Sequence, residues 1–267
     1  MPTNNAFREK SAGGDIGIGV DIVSGCNLRC VHCYYDKLDH NLPKIMPFSL
    51  IENLIGQAKG IFSELYLLGG EPTLHPQIYE IIKYAMKHMR MVVLVTNGLE
   101  FVNAEFCKQC AEFGATLSMH RWAIRPQGAD IVDQLSRKKG AFEKTSKAWG
   151  NVQKLWKGDV CAQINLLRPL IENGHAMDVF QWAREQGYKP IMEMIKASDY
   201  FQRNSNLDLS VQEAYEFFCE MREFDRINYP ELAPKAIVPP VYGNPCTLIE
   251  TGIHVLIDGT AILWGHT

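Results

Sequence analysis

The sequence predicts an α/β fold: a partial (β/α)6 TIM-like barrel of parallel strands, followed by a small C-terminal extension with a helix and a β-hairpin. Two observations predict it. From about residue 16, six short apolar runs alternate with helix-like segments, as in parallel sheets with right-handed crossovers. In addition, 46% of the 267 residues are apolar and 21% are charged, which is typical of a globular protein with a substantial core.

Apolar periodicity and turn signals place the first three strand and helix pairs. The strands are IGIGVDIV, SELYLLGG and MVVLVTNG, at 16–23, 63–70 and 91–98. We expect the first helix to begin near Ser49, whose side chain can cap it. The second helix runs from Pro76 to Met89 with an apolar stripe, and the third follows as NAEFCKQCAEFG.

The remaining strands are predicted at 115–120, 160–167 and 190–196. A polar loop leads from the first of them to a helix over about 141–156, and Gly187 ends a further helix. Ser210 and Glu213 form a capping-box pattern that opens a C-terminal helix, and Asp258-Gly259 predicts a hairpin. We therefore divide the chain into a flexible N-terminus (1–15), a barrel (16–200) and a C-terminal extension (201–267).

Charge and composition exclude several classes of function. A net charge of -3 lacks the basic excess that nucleic-acid binding normally needs, although Arg137, Lys138 and Lys139 form a local basic run. No window approaches the ~20 apolar residues of a membrane span. The N-terminus is polar and lacks the apolar core of a signal peptide, so we expect a cytoplasmic protein. In a reducing compartment, clustered cysteines favour metal or redox chemistry over disulfides.

Three of the 8 cysteines, Cys26, Cys30 and Cys33, lie within SGCNLRCVHCYY, directly after the first strand. Zinc is one candidate, but a structural zinc site takes four protein ligands, and His32 or His40 would have to supply the fourth. A [4Fe–4S] cluster also takes four ligands, normally cysteines. Three cysteines on one loop therefore leave one iron open to a ligand that is not protein.

This C-x3-C-x2-C pattern, with Tyr34 beside its last cysteine, resembles the cluster motif of the radical SAM enzymes. The resemblance implies a [4Fe–4S] cluster on the three cysteines and S-adenosylmethionine (SAM) on the open iron. In that family one electron from the cluster cleaves a carbon–sulfur bond of SAM, and the resulting 5′-deoxyadenosyl radical abstracts a hydrogen atom from the substrate. It also implies a reductant protein of the flavodoxin or ferredoxin type.

Two further motifs resemble the same family. Gly69-Gly70-Glu71-Pro72 is similar to its GGE-P motif, and Thr96-Asn97-Gly98 to the TNG that ends the third strand. We expect the glycines to let the backbone approach SAM, and the carboxylate of Glu71 or a nearby carbonyl to accept hydrogen bonds from its ammonium group.

A third resemblance points to a subgroup. Asp133, Arg137, Gly140 and Phe142 match the D-x3-R-x2-G-x-F pattern of the members that include peptide-maturing and sulfatase-activating enzymes. This pattern favours maturation of a peptide or another natural product.

Since the carboxyl ends of barrel strands build the site, polar residues there are further candidates. For the cofactor pocket these are Ser118, Asn165 and Arg168, with Glu193 and Lys196 as alternatives that equally suit ion pairs. His120 stands where many relatives carry an acidic residue, and it either binds substrate or relays protons, or is a hydrogen-bonded structural histidine. Trp122 and Arg125 are expected at the same mouth.

The C-terminal part resembles the start of a SPASM or twitch extension, through Cys246, Gly252 and Asp258-Gly259. The cysteine expected after the hairpin is missing, since Trp264 stands there. Only Cys246, with His254 or His266, would contribute ligands, so we expect no complete auxiliary cluster.

The other cysteines have apolar surroundings. Cys107 and Cys110 share one helix face and are expected to be buried structural thiols. Cys161 and Cys219 are either structural or hydrogen-atom donors to a substrate radical.

Three hypotheses follow from the sequence. The first is a radical SAM enzyme that acts on an unactivated C–H bond in peptide or natural-product maturation. The second is a radical SAM oxidoreductase or epimerase of small molecules. The third is a non-catalytic protein that binds zinc at the cysteine triplet.

Overall fold

The computed structural model describes residues 16–33, 35, 39, 41–194, 205–232 and 252–263. Its eight described strands are β1 (Gly17–Val23), β2 (Glu64–Gly69), β3 (Met91–Thr96), β4 (Thr116–His120), β5 (Val160–Asn165), β6 (Lys189–Glu193), β7 (Gly252–Val255) and β8 (Ala261–Leu263). They form one sheet in the order β6-β5-β4-β3-β2-β1-β7-β8. All neighbours are parallel except β7 and β8, so the parallel α/β fold is confirmed.

Helices connect the parallel strands. They are α1 (Phe48–Ala58), α2 (Ile78–His88), α3 (Ala104–Ala111), α4 (Ala129–Ser136), α5 (Ala141–Leu155), α6 (Arg168–Glu172), α7 (His175–Glu185) and, after the barrel, α8 (Val211–Asn228). Side chains alternate along β1, so that Ile18 and Val20 pack against Ile51 and Ile55 of α1. Gly19 and Asp21 alternate with these residues and lie on the other face of the strand, which in a barrel is the interior.

Several predicted boundaries hold and two details are wrong. The capping box of Ser210 and Glu213 is present, and Gly259, with φ 86°, lies in the turn between β7 and β8. The first helix begins at Phe48 after Pro47, and Ser49 does not cap it. The segment read as a polar loop contains α4, whose Val132 and Leu135 are buried.

The hairpin of the C-terminal extension is not separate from the barrel. Its strand β7 pairs with β1 from Gly17 and Gly252 to Val20 and Val255, and so continues the main sheet. The division at residue 200 stays a prediction, and residues 1–15 lie outside the described part. In that part, no helix is long and apolar enough to cross a membrane.

Candidate active site

The cysteine triplet lies on the loop that leaves the carboxyl end of β1. Cys26, Cys30 and Cys33 are all half-buried, and no disulfide joins them. The main chain of this loop is bonded to two other elements: the end of β2 on one side and the end of α4 on the other. A loop without regular structure thus holds a defined position.

The glycine pair forms the contact with β2. Gly70 N donates to Val23 O at 2.7 Å, and Glu71 N donates to Gly25 O at 2.8 Å. A Cβ at Gly70 would lie 2.3 Å from Gly25 O, and one at Gly69 would lie 2.2 Å from Val23 O. In this structure the glycines admit the backbone that leads into the cysteine loop, and their expected approach to SAM stays a prediction.

The carboxylate of Glu71 makes contacts within the chain that the sequence does not indicate. It is 1% exposed and accepts four hydrogen bonds within the chain. The donors are Thr73 N (3.1 Å) and Thr73 Oγ1 (2.6 Å), Thr96 Oγ1 (2.6 Å) and Asn97 N (2.8 Å). Burial raises its pKa, and these bonds lower it in part. Glu71 thereby joins the ends of β2 and β3, and a contact of its carboxylate with SAM stays a prediction.

Asn97 connects the end of β3 to the cysteine loop. Its Nδ2 donates to Asn27 Oδ1 at 2.8 Å and lies 3.7 Å from Cys26 Sγ. Its Oδ1 accepts from Leu99 N at 2.9 Å, while Asn27 in turn donates to Glu100 Oε1 at 3.0 Å. The amide of Asn97 is therefore fixed with its donor towards the first cysteine.

The second contact of the cysteine loop is with the turn between α4 and α5. The structure of this turn explains the D-x3-R-x2-G-x-F pattern. Asp133 accepts from Gly140 N at 2.5 Å and Phe142 N at 3.1 Å, at the start of α5. Arg137 and Gly140 both have positive φ, 52° and 75°. This pattern therefore builds the turn.

That turn fastens the cysteine loop through the carbonyls that end α4. Arg29 N donates to Ser136 O at 3.2 Å, and Val31 N donates to Leu135 O at 2.8 Å. Lys138 Nζ also donates to the loop, to Asn27 O at 2.8 Å.

Burial keeps the three thiols protonated as long as no metal is bound. Burial, followed by the Glu71 carboxylate, raises the pKa of Cys26 to about 12, and burial also raises the pKa of Cys30 and of Cys33. Bound iron would reverse this, because its positive charge stabilises thiolates. In the described residues, no three His, Cys, Asp or Glu side chains converge on one ion. The thiols fit a [4Fe–4S] cluster, since each cysteine of such a cluster binds a different iron.

At the ends of β4 and β5, one amide organises the predicted pocket. Trp122 Nε1 donates to Asn165 Oδ1 at 2.9 Å, and His120 Nδ1 lies 3.0 Å from the same oxygen. An indole nitrogen only donates, so the oxygen of Asn165 faces it. His120 must then carry its proton on Nδ1, which leaves Nε2 as an acceptor. Burial lowers the pKa of His120, while Glu193 nearby raises it in part, so the ring is a neutral base.

The cysteine loop reaches this pocket through His32. Its ring packs edge-on against Trp122, with centroids 5.1 Å apart. Burial lowers the pKa of His32 to about 3, which keeps the ring neutral, and its Nδ1 has no hydrogen-bond partner. From the sequence, His32 is a candidate only for a fourth zinc ligand. Its contact with a tryptophan 90 residues away has no signal in the sequence.

The remaining candidates are distributed more widely. Ser118 donates to Gln163 Oε1 at 3.2 Å inside the sheet, and Pro72 begins a short turn after β2. Arg168 is ion-paired with Glu213 of α8 and donates to Asp208 O at 2.7 Å, which makes it a link to the C-terminal helix. Its binding to the cofactor stays a prediction. Arg125 is paired with Asp178 at 2.6 Å.

Some predicted residues lie outside the described part of the chain, namely Tyr34, His40, Lys196, Cys246, Trp264 and His266. His254 is described, and its Nε2 lies 2.7 Å from Asp21 Oδ1, with both side chains buried. Cys107 and Cys110 are fully buried in the core, as expected of structural thiols. Cys161, near the start of β5, is also buried, whereas Cys219 is exposed on α8.

Comparison with known proteins decides the family. The model of the radical SAM superfamily matches residues 20–174, a range that contains the cysteine loop and the ends of β1 to β5. The chain belongs to the radical SAM superfamily. The cofactors of this superfamily are a [4Fe–4S] cluster and SAM, so the resemblance of the cysteine motif is confirmed at this level.

Individual members of this superfamily share only part of their length with the chain, at low sequence identity. The chain is 27% identical to an AdoMet-dependent heme synthase of Methanosarcina barkeri over 64% of this chain and 47% of that protein. It is 28% identical to the antilisterial bacteriocin subtilosin biosynthesis protein AlbA of Bacillus subtilis over 48% of this chain and 28% of that protein. The chain thus spans about half or less of their length.

Among solved structures, the chain is similar to anSMEcpe with bound AdoMet, with a TM-score of 0.66. The match covers 93% of this chain and 71% of that one at 17% identity. Such a likeness shows a common fold, which here extends beyond the matched radical SAM region into the C-terminal part.

Proposed function

We propose that this chain is a radical SAM enzyme that cleaves SAM reductively and modifies a substrate C–H bond in peptide or natural-product maturation. One observation carries the proposal: three half-buried cysteines lie on one loop that the ends of β2, β3 and α4 hold in place. A metal centre with an open coordination position needs such a prearranged ligand set.

We assign the residues of the site to the cluster and to SAM. Cys26, Cys30 and Cys33 would hold the cluster, and the strand ends with Thr96, Asn97, Ser118 and Asn165 would face SAM. When bound, the cluster would supply the electron for reductive cleavage of SAM, the chemistry that leads to hydrogen-atom abstraction from the substrate. The barrel wall would exclude water from this radical.

His120 is the proposed proton acceptor of the site. Its unprotonated Nε2 can accept a proton from a substrate group that lies within hydrogen-bonding distance. The electron for SAM cleavage would come from a reductant protein of the flavodoxin or ferredoxin type.

The peptide assignment draws on two facts: the relative AlbA is named for bacteriocin biosynthesis, and the chain carries the Asp133 to Phe142 pattern. A small-molecule substrate is the second candidate, because another relative is named a heme synthase. Incubation with candidate precursor peptides and with iron porphyrins, followed by mass spectrometry of each, separates the two.

The test of the radical chemistry uses the full chain, reconstituted with iron and sulfide under anaerobic conditions. We expect about four irons per chain, a brown colour, and 5′-deoxyadenosine when dithionite and SAM are added. Cys26→Ala, Cys30→Ala and Cys33→Ala should each abolish the product, while Cys219→Ala, at an exposed thiol, should not. A colourless protein that binds one zinc and forms no 5′-deoxyadenosine would refute the proposal.

A further inference from the structure

The side-chain amide of Asn97 has an unusual set of partners for a residue at the end of a strand. Its Nδ2 donates to Asn27 Oδ1 at 2.8 Å and lies within hydrogen-bonding distance of Cys26 Sγ, at 3.7 Å. The same sulfur is 3.4 Å from Leu28 N. Cys26 thus receives two N–H groups before any metal is present.

Two other atoms of Asn97, the side-chain Oδ1 and the main-chain nitrogen, keep that donor in place. Oδ1 accepts from Leu99 N at 2.9 Å, so the amide cannot rotate by half a turn without losing this bond. The main-chain nitrogen donates to the buried carboxylate of Glu71 at 2.8 Å. The N–H group that faces the sulfur is therefore prearranged, and little entropy is lost when the sulfur becomes a thiolate.

An N–H group that points at a cysteine sulfur stabilises negative charge on that sulfur. Reduction adds one electron to an iron–sulfur cluster, and part of the added charge falls on its sulfur ligands. Hydrogen bonds to the sulfurs are accordingly among the factors that set the reduction potential of such clusters.

We infer that Asn97 is a positioning residue that raises the reduction potential of the cluster by donating a hydrogen bond to the sulfur of Cys26. The inference rests on the proposed function, and assigns to Asn97 a contact with the cysteine ligand in addition to the predicted contact with SAM. The donor favours acceptance of the electron that the reductant protein delivers.

The experiment measures the midpoint potential of the reconstituted cluster without SAM, by redox titration with an electron paramagnetic resonance readout. Leaving SAM out separates the sulfur contact from any contact of Asn97 with the cofactor. In Asn97→Leu the donor is lost and no charge is added. At a fixed solution potential we expect the ratio of reduced to oxidised cluster to fall about fivefold. This factor corresponds to the free energy of one ordinary hydrogen bond.

Two further variants keep the test decisive. Asn97→Asp retains an acceptor for Leu99 N, so it covers the case in which Asn97→Leu does not fold, and its potential should fall at least as far. Asn151→Leu is the matched control, because the Asn151 amide donates to Phe101 O (2.8 Å) and Val102 O (3.2 Å), and not to a sulfur. Its potential should equal that of the wild type.

The outcomes separate the two proposals. A wild-type chain that takes up no iron–sulfur cluster refutes the proposed function. A wild-type cluster with Asn97→Leu at an unchanged potential and normal iron content refutes only the role of Asn97. A folded variant that loses its cluster altogether also contradicts the inference, since a tuning contact leaves the three ligands in place.

Discussion

The indole nitrogen of Trp122 and the imidazole Nδ1 of His120 share one acceptor, Oδ1 of Asn165, at 2.9 Å and 3.0 Å. Because the indole cannot accept, it fixes the amide, and the amide in turn fixes the tautomer of His120.

Trp122→Phe should release this constraint. Without the indole donor the amide of Asn165 is free to turn over, and His120 then populates the tautomer with its proton on Nε2. In ¹⁵N NMR spectra of apo protein labelled at histidine, we expect wild-type His120 to have an unprotonated Nε2, and the variant to give a mixture. An identical pair of ¹⁵N shifts in both proteins would contradict the tautomer argument, and Trp182→Phe, which changes an indole elsewhere, is the control.

His120 also predicts how stability depends on pH. Burial lowers its pKa below the ordinary 6.5, so below about pH 6.5 the unfolded chain binds a proton that the folded chain does not. The free energy of unfolding should therefore decrease as the pH falls from 6.5 towards 5. Replacement by an uncharged amide, His120→Gln, should make this decrease shallower. Urea unfolding of both apo proteins at several pH values measures it, and equal slopes would refute the assignment.

How much of this was predictable depends on the range of the interaction involved. Strand and helix alternation, the capping box at Ser210 and the hairpin at Asp258-Gly259 are local patterns, and the structure contains them all. The eight-residue helix α4 was missed because its short apolar stripe is interrupted by polar residues. The pairing of β7 with β1 was missed since sheet neighbours are chosen by tertiary contacts.

In the candidate site, too, local patterns are predictable from the sequence and tertiary contacts are not. The positions of the cysteines and of the GGE motif follow from spacing and strand order. The partners of Glu71 do not, because Thr96 and Asn97 lie 25 and 26 residues away and act through a hydroxyl and a main-chain nitrogen. The close approach of Gly25 to Gly70 is not predictable for a related reason: a sequence does not tell which backbone segment approaches a glycine.

Since the turn between α4 and α5 contacts the cysteine loop, we expect the Asp133 side chain that caps α5 to affect iron uptake. Asp133→Ala removes both acceptors for Gly140 N and Phe142 N, and should cost about 0.5–2 kcal/mol of stability, the range for the loss of a capping side chain. The hydrogen bonds from the cysteine loop to the last carbonyls of α4 should weaken when this turn is destabilised. The iron content per chain after reconstitution should therefore decrease as well. Asp130→Ala, at the other end of the same helix, is the control. Full stability of Asp133→Ala in urea unfolding would contradict the capping role.

Gly70 gives the most direct test of how the cysteine loop is held. In Gly70→Ala the new methyl group would lie 2.3 Å from Gly25 O and 2.6 Å from Gly25 C, backbone atoms that cannot move away as a flexible side chain would. The loop must therefore shift, which breaks the bonds from Gly70 N to Val23 O and from Glu71 N to Gly25 O.

We expect this variant to lose about 2 kcal/mol or more in urea unfolding, comparable to two ordinary hydrogen bonds. It should also take up less iron than the wild type. Gly150→Ala is the matched control: nothing lies within 4 Å of the new methyl group, and the residue is inside α5, where alanine is favoured over glycine by up to about 1 kcal/mol. If both variants have wild-type stability and iron content, the cysteine loop does not depend on this close approach.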